Sequence, residues 1–434
     1  MRVVLAGYNA DMEHGSTTPE TLSAAYARIS RDPRPIGELR FEATREVARA
    51  RASNRRIVFG YGHGSVAEHA FFNFDILDLS RLATEALQSF RLASFTEKSQ
   101  RYIRLDGGWV VPPELPAGAE DDWNASMRRL FDLYSAACDR LAEDGLSQGR
   151  AREDARYMLP LAVTGQMGMS CNARELEHMV RRLSAHPLAE VRELAASLLR
   201  AASKVAPSLL RHLEPTAVDR MAWQLPVAAL GAEVELCRAA TDIDVGARLL
   251  QRSRGLSLSA AAEEWGRMDG DGRRELFEGV LNRMGPHDAV PRDWELAAFT
   301  FELSISATAY AQLKRHRLST QLVSAYSPGL GLRVPPSLAR AGLDGMLEEA
   351  ASLREEWTPR LAEGVADYLL TNAHRRRVVL HVNARELYHI SRLRMDSHAQ
   401  WDIRELAGKA VRLACAKAPL TMAGAGGKSK IAGD

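Results

Sequence analysis

The sequence predicts an α+β protein made of two tandem copies of one domain, each a small mixed sheet with packed helices. Three observations lead there. A chain of 434 residues, 46% of them apolar, can fill two or three ordinary cores. Runs of alternating apolar residues, such as Phe72-Asn73-Phe74-Asp75-Ile76, and the run from Phe299 to Leu313 pass into helical spacing, as a strand handing over to a helix does. The order of motifs is also played twice. Glu295 to Leu303 repeats Glu68 to Ile76, and Leu313-Lys314-Arg315-His316-Arg317 stands where the first copy has Leu87-Gln88-Ser89-Phe90-Arg91. Val334-Pro335-Pro336 repeats Val111-Pro112-Pro113, and Asn383-Ala384-Arg385-Glu386-Leu387 repeats Asn172-Ala173-Arg174-Glu175-Leu176. The offsets all fall between 211 and 227 residues. Chance matches would scatter them, whereas loop insertions and deletions produce small drift.

Taken in order, residues 2 to 8 read as a strand, and Thr18-Pro19 opens a helix with a cap followed by a proline. A second helix is expected over about 37 to 59. The small-residue turn Gly62-His63-Gly64-Ser65 leads into the Phe72–Ile76 strand, and residues 80 to 91 become helical. Pro112 and Pro113 stop any helix. Residues 123–144 and 151–205 read as helical, interrupted at Pro160 and Pro187. Copy one is therefore 1–205, a linker with Pro207, Pro215 and Pro226 is 206–231, copy two is 232–420, and 421–434 is a flexible tail. The tail's Gly-Ala-Gly-Gly-Lys-Ser lacks the spacing and the flanking strand and helix of a phosphate loop.

A balance of 57 basic against 55 acidic residues excludes a nucleic-acid binder that relies on a broad basic face, so any anion site must be local. No apolar run approaches a membrane span, and the apolar start is too short for a signal peptide, which predicts a cytoplasmic protein. Cys138, Cys171, Cys237 and Cys415 are far apart without Cys-x-x-Cys spacing. They read as core residues, and no metal site is expected. The triplet Arg315-His316-Arg317 is the natural anion-binding element, although a solvated basic helix end would look the same.

Several motifs together resemble one family. These are Gly62-His63-Gly64-Ser65-Val66-Ala67-Glu68-His69, the spaced Ser94, Ser99 and Arg101, the Arg-His-Arg triplet, both Asn-Ala-Arg-Glu-Leu runs, and Leu393-Arg394-Met395-Asp396-Ser397-His398-Ala399-Gln400-Trp401. The chain resembles flavin-dependent thymidylate synthase, as a tandem fusion of two divergent copies. The resemblance implies FAD, NADPH and methylene-tetrahydrofolate as cofactors, and reductive methylation of dUMP, or a related pyrimidine nucleotide, to its 5-methyl product. It implies a homodimer forming a pseudo-tetramer, since single-domain family members are homotetramers. Reduced flavin would supply the electrons, so no cysteine nucleophile is required. By motif position, Arg315, His316, Arg317, Glu97, Ser65, His63, Asn383, Arg385 and His389 fall on the flavin side, with Arg385 equally readable as structural and His63 as a turn cap. Gln312, Ser99, Arg101 and Arg156 fall on the nucleotide side, and Arg394 is the catalytic arginine. His398 and Trp401 are expected to pack the helix that carries it.

Neither copy has the full signature. Copy one has Ser89-Phe90-Arg91 in place of the triplet and Leu183 in place of Arg394, but keeps Ser99, Arg101 and Arg156. Copy two keeps the triplet and Arg394, but has Thr320, Ala325, Ser327 and Asp367 at the other positions. The losses are complementary, which predicts one complete composite site and one empty one. An inactive flavin- or nucleotide-binding homologue stays open, as does a methylase of a different pyrimidine nucleotide.

Overall fold

The structure is a computed structural model of the chain. It describes all residues except 16, 222–230, 286–287, 363 and 428–434. Copy one runs β1 (Arg2–Tyr8), α1 (Pro19–Tyr26), α2 (Ile36–Arg45), α3 (Val47–Asn54), β2 (Phe71–Ser80), α4 (Arg81–Leu87), β3 (Ala93–Glu97), α5 (Glu120–Glu143), α6 (Gln148–Ala155), β4 (Thr164–Asn172), α7 (Ala173–Leu183) and α8 (Ala189–Ala202). Copy two repeats it as β5 (Val234–Ala239), α9 (Asp242–Arg254), α10 (Leu258–Arg267), α11 (Gly270–Leu281), β6 (Ala298–Ser306), α12 (Ala307–Leu313), β7 (Thr320–Tyr326), α13 (Pro336–Arg340), α14 (Asp344–Trp357), β8 (Arg375–Asn383), α15 (Ala384–Arg394) and α16 (Trp401–Lys417).

Each copy folds a four-stranded sheet, in the order β1-β2-β4-β3 and β5-β6-β8-β7. The sheets are antiparallel throughout rather than mixed. The α4 crossover makes β2 and β3 run in the same direction, but β4 inserts between them and pairs antiparallel with both. Alternation decides the faces: Phe72, Phe74 and Ile76 of β2 are buried, while Phe71, Asn73 and Asp75 point outward. Asp78 adopts a left-handed conformation (φ 57°) where the register of β2 shifts, as at a β-bulge.

Serine and asparagine caps mark the strand-to-helix corners of both copies. Ser80 and Ser306 cap α4 and α12 by accepting from Ala83 N and Ala309 N, both at 3.0 Å. Asn172 and Asn383 cap α7 and α15 by accepting from the third helical N–H, that of Glu175 at 2.8 Å and Glu386 at 2.9 Å. Arg174 then pairs with Glu68, and Arg385 with Glu295, at the same relative position in the other copy.

Two compact units form, and they do not follow the boundary between the copies. One joins residues 1–222 to 334–371, the other 223–333 to 372–434. The helical excursion of copy two thus folds with copy one. Trp357 of α14 packs edge-on against Trp123 of α5, with ring centroids 5.3 Å apart, and donates to Ser126 Oγ at 3.0 Å. Leu161 N and Ala162 N donate to the carbonyls of Leu370 (2.7 Å) and Tyr368 (2.8 Å). The Tyr368 hydroxyl donates to Glu190 Oε2 at 2.7 Å, and Ser80 Oγ donates to the same oxygen at 2.6 Å. Burial and the adjacent Glu190 carboxylate push the Tyr368 phenol far above its ordinary pKa, so it remains a donor. Removing one donor from a buried carboxylate costs about 1–3 kcal/mol. Tyr368→Phe is therefore expected to lower the urea midpoint of this unit at constant m-value; an unchanged midpoint would show that the bond is not formed.

Several sequence readings are corrected. Residues 164–172, read as part of a helix, are the strand β4 beside the sheet centre, with Met167, Met169 and Cys171 buried in alternation. The helix expected over 37–59 breaks at Glu46 (φ −112°, ψ 55°) and ends in a widened turn, Arg55–Gly60. Residues 206–210, placed in the linker, belong to copy one: Ala206 and Leu209 are buried, and Ser208 Oγ donates to Glu20 at 2.7 Å. Cys237 is exposed rather than a core residue.

The tail reading is corrected for residues 421–427, while 428–434 lie outside the described residues. Thr421 and Met422 are fully buried, and the carbonyl of Thr421 accepts from Trp294 Nε1 at 2.8 Å and from the Tyr388 hydroxyl at 2.9 Å. Glycine permits this docking on α15. A Cβ at Gly427 would stand 3.0 Å from the Met395 carbonyl oxygen.

Candidate functional site

Copy two carries a built polar centre. Helix α12 starts at the end of β6 and runs back along the sheet, and β7 begins opposite His381, near the start of α15. The Arg-His-Arg turn between them therefore lies beside α15. The Gln321 amide pins this turn by donating to the carbonyls of Leu313 (3.1 Å) and His316 (3.2 Å), and Ser319 Oγ donates to His316 O at 2.7 Å. Arg315 and Arg317 consequently project to solvent, while His316 is only 3% exposed.

Both ring nitrogens of His316 are engaged. Arg394 Nε donates to Nε2 at 3.0 Å, and Nδ1 lies 3.1 Å from Glu386 Oε1. Arg394 Nη1 also donates to Gln312 Oε1 at 3.4 Å, and the His389 ring meets His316 edge-on at 5.5 Å. Burial, the Arg394 charge and His389 hold the His316 pKa below its ordinary value, against the opposing pull of Glu386. Of the residues expected here, Gln312, His316, His389 and Arg394 come together, with Arg315 and Arg317 flanking them. His316, expected on the flavin, is turned inward because its ring bonds are spent on protein.

Asn383 is spent on its capping bond. Arg385 donates to Val290 O at 3.0 Å and pairs with Glu295, which favours its structural reading. Trp401 packs as expected, whereas His398 is exposed and bonded to Asp396 instead. His316, Glu386 and His389 are close enough to hold a metal ion. The Arg394 guanidinium on Nε2 disfavours a divalent cation there, because like charges repel.

Copy one carries a second centre. Arg101 Nε and Arg150 Nη1 pair with Glu153 at 2.5 and 3.1 Å, and Arg156 Nε donates to the Glu153 carbonyl at 3.2 Å. Arg101 N donates to Ser99 Oγ at 3.2 Å. Arg156 is buried, and desolvation depresses its pKa to about 10, with Arg81 and Arg101 contributing. A buried guanidinium with two others acting on it in this way favours an added anion. Glu97 lies between the two ends of α4, accepting from Gln88 Nε2 at 2.9 Å and facing Arg81 at 3.9 Å. Beside them a cavity of about 30 Å³ is lined by Arg81, Glu97, Lys98 and Gln100.

His63 and Ser65 are not part of this cluster. They stand exposed on the turn that enters β2 opposite Asn172, whereas Arg156 precedes the other end of β4. Sequence reasoning missed Glu386, Gln321, Arg81 and Glu153. Glu386 was legible as the third residue of a capped helix, and Glu153 as the residue three before Arg156.

The doubled antiparallel α+β fold thus carries an arginine cluster in each copy, a charge arrangement that suits anionic ligands. The family described as Thymidylate synthase complementing protein matches residues 13–208 and 237–420, and the chain belongs to it. A flavin-dependent thymidylate synthase of Pyrococcus abyssi is 36% identical over 150 residues, 33% of this chain and 58% of that protein, so the match spans little more than half of the relative's length. A UPF0159 protein of Thermoplasma acidophilum is 24% identical over 454 aligned positions, covering 89% of this chain and 90% of its own. A solved Helicobacter pylori flavin-dependent thymidylate synthase complexed with FAD and dUMP aligns with a TM-score of 0.38 at 21% identity, covering 49% of this chain and 100% of that one.

Proposed function

We propose that this protein is a flavin-dependent thymidylate synthase that methylates dUMP to dTMP, using FAD, NADPH and methylene-tetrahydrofolate. The observation that carries the reading is the copy-two centre, in which the exposed Arg315 and Arg317 stand on either side of His316 in the chain while His316 and Gln312 hold Arg394. These residues fit FAD. Arg315 and Arg317 suit its pyrophosphate through charge-assisted bonds, and the buried Gln312 Nε2 has no hydrogen-bond partner among the described residues, leaving it a donor for a ligand. Reduced FAD, when bound, supplies the reducing equivalents.

The chain's own task is to bind and polarise. Arg394 stabilises negative charge at the pyrimidine carbonyl edge as the ring gives up its N3 proton. Ser99, Arg101 and Arg156 hold the nucleotide phosphate. The complete site combines Arg315, Arg317 and Arg394 of one copy with Ser99, Arg101 and Arg156 of another, and the working form is a homodimer in the cytoplasm. No described helix is long and apolar enough to cross a membrane.

The test is the absorbance spectrum of the purified protein together with tritium release from 5-tritiated dUMP in the presence of the two co-substrates. Arg315→Ala and Arg317→Ala should each weaken FAD by roughly ten- to a hundredfold, from about 1.5–3 kcal/mol per charged bond. Arg91→Ala should matter less. Equal flavin retention in all three variants would refute the assignment. Flavin and nucleotide binding without turnover would identify an inactive homologue, and methylation of UMP in preference to dUMP a different nucleotide methylase.

A further inference from the structure

We infer that Glu386 and His316 are positioning residues that orient Arg394 through a neutral imidazole carrying its proton on Nδ1. The inference deepens the proposed function and rests on it for the role of Arg394. A guanidinium Nε–H can only donate, so the 3.0 Å contact from Arg394 requires Nε2 of His316 to be an unprotonated acceptor. The ring proton must then sit on Nδ1, where it donates to Glu386 Oε1 at 3.1 Å. Glu386 is held in turn by its place in the first turn of α15, whose cap Asn383 accepts from its backbone N–H.

The titratable groups that act on the ring include Glu386, His389 and Arg394 of α15, and burial joins Arg394 and His389 in opposing a positive charge. An imidazolium would have no lone pair for Arg394 and would repel it. Copy one makes the contrast. Phe90 and Leu183 stand at the positions of His316 and Arg394, and Phe90 is buried edge-on against His178 at 5.3 Å, much as His316 is against His389. Where the arginine is absent, the relay is replaced by an apolar contact.

The test uses the full chain as purified, with nitrogen-15 histidine labelling and His316→Gln to assign the resonance. The expected signal at neutral pH is a neutral ring protonated on Nδ1, shifting when Glu386→Gln removes the carboxylate charge. This readout does not depend on turnover, so an inactive protein with that signature would sink the functional reading and leave the relay standing. A ring protonated on Nε2, or an imidazolium at neutral pH, would overturn the relay.

Kinetics supply the second arm. His316→Phe should lower kcat by on the order of 10²-fold, the usual cost of a misplaced reacting group. His316→Gln, whose side-chain oxygen can still accept from Arg394, should keep at least about tenfold more activity than the Phe variant and lose the acid limb of the wild-type pH profile. Equal impairment of both variants with the acid limb retained would overturn the relay even if the NMR signature were seen.

Discussion

Arg394→Ala is expected to lower turnover by at least 10²- to 10³-fold while leaving the thermal midpoint nearly unchanged. The magnitude is that of removing one preorganised donor from a site where charge develops, about 2.7–4 kcal/mol. The unchanged fold follows from position: Arg394 is the last residue of α15 and is partly exposed, so no core volume is lost. The variant also leaves His316 Nε2 without its donor, a smaller cost than losing a carboxylate partner because the ring is neutral. The measurement is single-turnover formation of methylated nucleotide with flavin content matched between variant and wild type. Turnover within a few-fold of wild type would remove Arg394 from the chemistry, and Arg394→Lys separates charge from geometry. Lysine keeps the positive charge but cannot donate along both Nε and Nη directions, so it should recover only part of the loss.

One FAD and one nucleotide should bind per chain, although the chain holds two copies of the domain. The flavin-side cations occur once, because copy one has Ser89-Phe90-Arg91 and Leu183 where copy two has Arg315-His316-Arg317 and Arg394. The structure adds a physical reason to the count. Phe90 is buried against His178 and presents no charge, so the substitution packs as an apolar contact. The nucleotide-side cations likewise occur once. The copy-two residue corresponding to Arg156 is Asp367, whose carboxylate is paired with Arg354 at 3.0 Å. A dianionic phosphate brought to Asp367 would meet like charge and compete for that arginine. Titration calorimetry with dUMP, alongside flavin absorbance per mole of chain, measures both numbers. Two tight sites of either kind would show that the substituted copy still binds and would end the complementary-halves account.

The doubling of the chain, the corners that lead into α4 and α12 and the complementary losses were legible in the sequence, whereas the corner at Asn172 was not, because residues 164–172 read as helix. Each is a local property: a repeat is read by comparing motifs, and a corner by a cap residue beside a change of period. Strand β4 shows where local reading fails. Its apolar positions are Met167, Met169 and Cys171, with Gly165 before them and Gly168 among them, residues of weak strand preference, and pairing on both edges overrides that preference. The equivalent β8, with Val378, Leu380 and Val382 buried, carries the stronger signal, and it directly precedes the second Asn-Ala-Arg-Glu-Leu motif.

What the sequence determined by itself is which cations the chain owns and in which copy. What only the tertiary structure decided is where they point and which surface each segment packs on. Residues 334–371 belong to copy two by repeat but fold with copy one, because an apolar face such as that of Leu347, Ala350 and Trp357 is satisfied by any surface of matching shape and its spacing does not name the partner. His316 stands between two arginines in the chain, yet its neighbours face solvent while it is buried. That division comes from Gln321, Ser319, Glu386 and Arg394 closing around the turn, and hydrogen bonds that span up to 78 residues leave no trace in the spacing of the triplet itself.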